Sequence, residues 1–196
     1  MDRVHSVSGE LPTSEKSRVR RGAKRASYRR EEIYPLIDEL KLGHVGFSEN
    51  GEAIIIPLTV WRLGCFLYFH VANKSRLQKL IEAGGQVCIS FARYDEWVLS
   101  KSAFHHSANY RSAVLFCRGE RVCGQEEFDA VFKAIINDIE PDRWEQVRAP
   151  NLQERKGTAL IRLTIEEGAF KSRTGGPSEN KEDLTLPVWS GIKPAL

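Results

Sequence analysis

The sequence predicts a mainly β chain, an antiparallel sheet that closes on itself or stacks in two layers. Three observations predict it. Seven segments carry strand-like runs or alternation of apolar residues, the helical patterns are few and short, and most strands are joined by hairpin-length turns. The 196 residues, 41% hydrophobic and 28% charged, suit one globular domain that builds its core without disulfide or metal staples. The longest apolar stretch, residues 54–61, is broken by Pro57 and Thr59 and falls far short of the ~20 residues a membrane-spanning helix needs, so no membrane partner is expected.

Residues 1–30 hold nine Lys and Arg against Asp2, Glu10 and Glu15, a net charge of +6, while the other 166 residues hold 20 basic and 23 acidic groups. The surplus charge belongs to a tail. Residues 1–25 are therefore expected to form a basic, flexible arm ahead of a single domain over 26–196. With Tyr28 as its only aromatic and no matching basic balance in the folded part, the arm reads as a solvated extension that packs on a partner subunit rather than as a nucleic-acid contact. No apolar signal core follows the basic residues, so a cytoplasmic protein is expected. Cys65, Cys88, Cys117 and Cys123 form no CxxC pair and read as reduced core residues.

The elements follow in order. Ile33, Leu36, Ile37 and Leu40 recur at helical spacing over residues 30–41, and Gly43 ends that helix. Strands over 44–48 and 53–61 flank Asn50-Gly51, a pair that tolerates positive φ at both positions of a two-residue turn. Residues 65–71 alternate Phe66, Tyr68 and His70 with Leu67, Phe69 and Val71, a strand at least partly covered on both faces. Ser75 opens a short helix with Leu77, Leu80 and Ile81 buried and Gly84-Gly85 as its stop. Strands are expected over 86–93, 97–104 and 110–122, the last bending near Gly119. Phe128, Val131, Phe132, Ile135 and Ile139 line one side of a helix over 125–140, closed by Pro141. A final strand over 157–167 turns Ala159, Ile161, Leu163 and Ile165 inward, and 172–185 reads as loop.

Several chemistries are excluded by missing residues: there is no GxGxxG after a strand, no GxxxxGK[ST], no HExxH, no GxSxG and no zinc-type cluster. Two places remain. In Lys74-Ser75-Arg76 a serine opens a helix between two cations, the composition of a phosphate seat and equally of an ordinary cap. In residues 104–112 a donor-rich run, His105-His106-Ser107-Ala108-Asn109-Tyr110-Arg111-Ser112, lies between two apolar strands; burying it is costly unless its groups are satisfied or line a polar ligand site.

At these residues the chain resembles the pyridoxamine 5′-phosphate oxidase-related, FMN-binding split-barrel family, and within it the nitroimidazole-resistance-type branch. The matching pieces fall in order: Arg30-Glu31-Glu32-Ile33-Tyr34, Gly43-His44-Val45-Gly46-Phe47, Ile55-Ile56-Pro57, Leu67-Tyr68-Phe69-His70, Lys74-Ser75-Arg76, Val87-Cys88-Ile89-Ser90, the specific block from Ser102-Ala103-Phe104 through Ser112, and Leu186-Pro187-Val188-Trp189-Ser190-Gly191. The resemblance implies a six-stranded antiparallel split barrel with helices at its openings, a homodimer, and one FMN in each of two clefts between subunits. It implies the phosphate against Lys74, Ser75 and Arg76, the ring along Ile56, Pro57, Leu58 and Thr59, and polar contacts from Ser107, Asn109, Tyr110, Arg111 and Ser112, some of them from the opposite subunit. His70 is expected beside the ribityl chain or phosphate, and Arg111 at the pyrimidine edge.

The activity implied is an oxidoreductase that takes hydride from a nicotinamide cofactor and passes electrons to a small acceptor, nitroaromatics among the candidates. His106 is the candidate proton donor, because imidazole titrates near neutral pH. Two alternatives stay open. One is a barrel holding haem or a deazaflavin, with His44, His70, His105 and His106 as axial candidates; the other is a non-catalytic flavin-binding or storage module.

Overall fold

The computed structural model describes residues 7–195. Its strands are β1 (Ala26–Ser27), β2 (Leu42–Glu49), β3 (Glu52–Thr59), β4 (Trp61–Leu63), β5 (Phe66–Ala72), β6 (Val87–Leu99), β7 (Ser107–Arg121), β8 (Thr158–Arg173) and β9 (Gly191–Pro194). Its helices are α1 (Arg30–Leu40), α2 (Arg76–Glu82), α3 (Gln125–Ile139) and α4 (Leu152–Gly157). Every strand pairing is antiparallel, in the order β3-β2-β6-β7-β8-β5-β4, with β1 added to β8 and β9 to β6.

The ring closes through a single residue. Val60, fully buried, separates β3 from β4, and its N–H donates to the Lys41 carbonyl at 2.6 Å. The strand thus pairs with β2 before Val60 and with β5 after it. Counted through that bend the barrel has six strands, the split-barrel architecture that the sequence implies. The β2–β3 turn is the one expected: Asn50 and Gly51 both have positive φ, 53° and 84°.

Alternation along the strands sets the core. Val45, Phe47, Phe69, Ile89, Phe91, Leu115, Ile161 and Leu163 fill the barrel together with Ile33, Leu36 and Ile37 of α1 and Leu77 and Ile81 of α2. β8 is buried on both faces: Leu160 joins Trp61, Tyr68, Phe128, Val131 and Ile135 in a second cluster beneath α3. At Gly119 a Cβ would stand 2.4 Å from Leu163 Cδ2, so that crossing of β7 over β8 requires glycine.

Four expectations are corrected. The strands read over 86–93 and 97–104 are one strand, β6, which absorbs the charged run at 93–96 through a bulge between Tyr94 and Glu96 and ends at Leu99. The polar block does not merely separate two strands: β7 begins at Ser107 rather than at 110, so ladder pairing satisfies the backbone of Ser107–Ser112. The loop read from 172 begins only after Arg173, with a 3₁₀ turn at Lys181–Thr185 and the unexpected β9 beyond it. Within the basic segment, residues 10–21 lie on the barrel rather than extending as a free arm. Leu11 is 3% exposed, the Ser14 and Ser17 hydroxyls donate to Glu167, and Lys171 Nζ donates to the Arg21 carbonyl. The reading of residues 1–6 lies outside the described residues. Among the described residues, no helix is long and apolar enough to cross a membrane.

Candidate functional site

The bulge in β6 builds the first part of the site. Inserting Asp95 makes residues three apart share a face, so Tyr94 and Trp97 come together with ring centroids 5.0 Å apart. Tyr94 lies opposite Tyr110, and Ala92 opposite Ser112. Ala92, Tyr94, Tyr110 and Ser112, together with Ser107 and Ala108, border a largely apolar groove of ≈ 500 Å³. The groove gathers Ser107, Tyr110, Arg111 and Ser112 of the expected set. Ala92 and Tyr94 were missed by sequence reasoning, and the one signal for them, an aromatic inside the run Arg93-Tyr94-Asp95-Glu96-Trp97, is readable only once the bulge is known.

Asn109 and Arg111 are already bound to charged partners, and the Ser112 hydroxyl donates to the Lys171 carbonyl at 3.2 Å. Asn109, 3% exposed, donates to Glu96 Oε2 at 2.6 Å and accepts from Arg173 at 2.5 Å. Arg111 grips Asp95 through Nε (3.1 Å) and Nη2 (2.8 Å), and Glu39 through Nη1 (2.5 Å) and Nη2 (3.1 Å). Those bonds push the guanidinium's titration up and hold the Asp95 and Glu39 carboxyls below the usual carboxylate range. Of the guanidinium's five N–H donors, a single Nη1 hydrogen is left for anything else.

His106 Nδ1 lies 3.0 Å from the Ser102 carbonyl. A carbonyl only accepts, so Nδ1 carries the proton and Nε2 is left to the exposed side of the ring. His105 is half-buried, its Nδ1 without a hydrogen-bond partner, and packs against Phe104, which is 90% exposed.

The other expected residues lie elsewhere on the same subunit. On β3, Ile56 and Leu58 turn toward the core, leaving Pro57 and Thr59 to face outward. Ser75 accepts from the Gln78 amide at 3.3 Å and caps the seven-residue α2, and the Lys74 amide donates to Gln78 Oε1 at 2.6 Å. Arg76 lies over Phe47 and 3.6 Å from Glu49. His70 stacks on Trp61 at 6.5 Å and meets Phe132 at 5.9 Å, the side of the barrel covered by α3. No hydrogen bond or ring contact joins His70 to Lys74, Ser75 or Arg76, and none of Ile56–Thr59, His70 or Lys74–Arg76 borders the groove at Tyr110.

Between these regions the outward face of the sheet is apolar. Ile55 is 67% exposed and Val114 40%, and His44, Ile54, Cys88 and Phe116 help border a second groove of ≈ 460 Å³. A sheet whose inner face is core and whose outer face is this apolar presents a patch of the kind that another protein surface covers.

The comparisons with known proteins agree with this architecture. No curated protein matches the chain. Among solved structures, the flavocytochrome Anf3 from Azotobacter vinelandii is 31% identical, covers 95% of this chain and 86% of its own, and superposes with a TM-score of 0.86. The FAD- and haem-binding protein from Mycobacterium smegmatis is 26% identical over 87% of this chain and 83% of its own, with a TM-score of 0.80. A proposed 5-nitroimidazole antibiotic resistance protein from Bacteroides thetaiotaomicron shares the fold at 16% identity, a TM-score of 0.60, and coverage of 72% and 82%. The family model described as pyridoxamine 5′-phosphate oxidase matches residues 29–172, and the chain belongs to that family.

Proposed function

We propose that the chain is a homodimeric flavin-binding oxidoreductase that passes electrons from a nicotinamide cofactor to a small acceptor. The observation that carries this reading is the 31% identity, over 95% of the chain, to a flavocytochrome. The residues present fit a flavin in two respects. Tyr94, Tyr110, Ala92 and Ala108 offer an apolar wall, and the Ser107 and Ser112 hydroxyls offer polar contacts beside it. When bound, a flavin supplies hydride acceptance and stepwise electron transfer.

The chain's own residues hold and orient it. Pro57 and Thr59 of one subunit, with Ile56 and Leu58 contributing backbone, would hold the ring, and Ser107, Tyr110, Arg111 and Ser112 of the other would supply its polar contacts. Because these groups do not share a cavity within one chain, the reading requires a second copy seated on the apolar outer face. Lys74, Ser75 and Arg76 are carried as phosphate contacts, with His70 beside the ribityl chain and Asn109 holding the wall in place. His106, its Nδ1 fixed by the Ser102 carbonyl, presents Nε2 as the atom that holds or moves a proton. The resemblance names FMN as the flavin.

A second reading has its own observation: the relatives at 31% and 26% identity are a flavocytochrome and a FAD- and haem-binding protein. Haem would then be a companion group, with His44, His70, His105 and His106 as the candidates to hold its iron. The visible spectrum and mass of the ligand that copurifies test both readings. Flavin bands that bleach on anaerobic mixing with NADH or NADPH are expected, and an added Soret band that one His→Ala variant abolishes assigns the haem ligand. A flavin that neither donor reduces favours storage, and a protein that retains no flavin after reconstitution overturns the proposal.

A further inference from the structure

We propose that the groove between the basic N-terminal segment and the end of β8 binds the diphosphate of a nucleotide. The inference rests on the flavin reading only for the identity of one of two nucleotides that carry this group. The groove, ≈ 420 Å³, is bordered by Lys24, Arg25, Ser27, Ser172, Arg173 and Thr174. Three cations and three hydroxyls therefore converge on one polar cavity.

The charge there is only partly compensated. Among the described residues, Lys24, Arg25 and Arg173 form no ion pair with a carboxylate. Arg173 is fixed by neutral acceptors instead: it donates to Asn109 Oδ1 at 2.5 Å and to the Gly175 and Gly176 carbonyls, each at 2.9 Å. Its guanidinium is thus held in place while keeping its full charge. Glu32 also borders the groove, and its carboxylate accepts from the Ser27 hydroxyl, which leaves the lining with a surplus of positive charge. A multiply charged anion is the ligand that such a lining recognises, since charge-assisted bonds to fixed cations are the strong ones.

The arrangement is also built in advance. Ala26 pairs with Lys171 and Ser27 with Phe170, and Gly22, at φ 70°, turns the segment where Lys171 Nζ holds the Arg21 carbonyl at 2.9 Å. Backbone pairing, rather than loose side-chain reach, brings Lys24 and Arg25 to the strand end. That end adjoins the proposed ring wall: Arg173 is the register partner of Tyr110, and Ser172 of Arg111. A ring seated at Tyr110 with a diphosphate in the basic groove has the anatomy of a dinucleotide. The diphosphate belongs either to a flavin adenine dinucleotide or to the nicotinamide donor.

The test is calorimetric titration of the full chain with ADP and with inorganic pyrophosphate at low salt, after dialysis at high salt has released bound nucleotide; where a nucleotide stays bound, its retention is followed instead. Both probes are expected to bind the wild type. Affinity is expected to fall at least tenfold in Lys24→Glu/Arg25→Glu, by less in Lys24→Gln, and to hold in Lys156→Glu, a cation outside the groove, with unfolding midpoints preserved. Loss of FAD with retention of FMN in the first variant assigns the diphosphate to the flavin. Unchanged flavin retention with a tenfold higher KM for NADH or NADPH assigns it to the donor. A wild type freed of nucleotide that retakes flavin yet binds neither probe, or equal affinities in wild type and Lys24→Glu/Arg25→Glu, overturns the groove while leaving the flavin reading intact. Probe binding in a chain that never takes up flavin overturns that reading and leaves the groove.

Discussion

Replacing Glu167 by glutamine is expected to release the basic N-terminal segment from the barrel without unfolding the barrel itself. One carboxylate organises that contact: it accepts from the Ser14 amide (3.1 Å), the Ser14 hydroxyl (2.5 Å) and the Ser17 hydroxyl (2.7 Å), and pairs with Lys16 Nζ at 2.9 Å. These donors, Ser14 first, hold the Glu167 carboxyl at about 2 rather than 4.5. At about 1.4 kcal/mol per pKa unit the difference is roughly 3 kcal/mol at most. The side chain is 15% exposed, and screening reduces the figure to about 2 kcal/mol. Glutamine keeps an acceptor and the shape but loses the charge, so the open population of the segment should rise about thirtyfold. Native-state trypsin cleavage after Lys16, Arg18, Arg20 and Arg21 reads that population where reclosing outpaces cleavage. Because the folded carboxyl titrates below its unfolded value, the stabilisation is fully present above about pH 4.5 and is lost as pH falls toward about 2. Exchange of the Leu11 amide, which donates to the Tyr28 carbonyl, should accelerate over the same window. Cleavage within about twofold of the wild-type rate would show that Leu11 and the β1 pairing hold the segment without Glu167.

Three further outcomes follow from packing and charge. Arg111→Leu leaves Arg93 alone between Glu39 and Asp95; the two carboxyls should titrate nearer their ordinary values by NMR, and the unfolding free energy from denaturant titration should fall by about 1 kcal/mol for these partly exposed pairs. Gly119→Ala drives a Cβ into Leu163 and to 2.8 Å from the Arg162 carbonyl, so thermal denaturation should register a loss of about 1–3 kcal/mol. Exposed Cys123 should be alkylated first in the native protein and Cys117, buried with its thiol pushed up by desolvation, only after unfolding; mass spectrometry of labelled peptides checks the order.

The elements that were legible in the sequence are those governed by local chemistry. Asn50-Gly51 dictates its turn, the stripe from Phe128 to Ile135 dictates α3, and Ser75 caps α2. What was not legible depends on pairing between distant residues. The charged run 93–96 reads as a break, yet Arg93 and Asp95 find Glu39 and Arg111 across the fold, so the strand continues. The basic segment reads as solvated because its ligand, Glu167, lies some 150 residues away. Within the candidate site, the polar character of Ser107–Ser112 was plain from composition. That Asn109 and Arg111 spend themselves on Glu96, Asp95 and Glu39 was not, since it depends on the partners that the β6–β7 register and α1 supply.

Pro57 lends the open margin of β3 a further property. A proline in an antiparallel ladder stands where its nitrogen points away from the neighbouring strand, and here that neighbour is β2 through His44. The free side of β3 therefore shows a carbonyl at Pro57 with no donor beside it, and any strand laid along this border forfeits a bond at its middle. Edge-to-edge growth into a continuous sheet is disfavoured at the seam itself, so that two molecules meeting here are directed to stack by their flat sides.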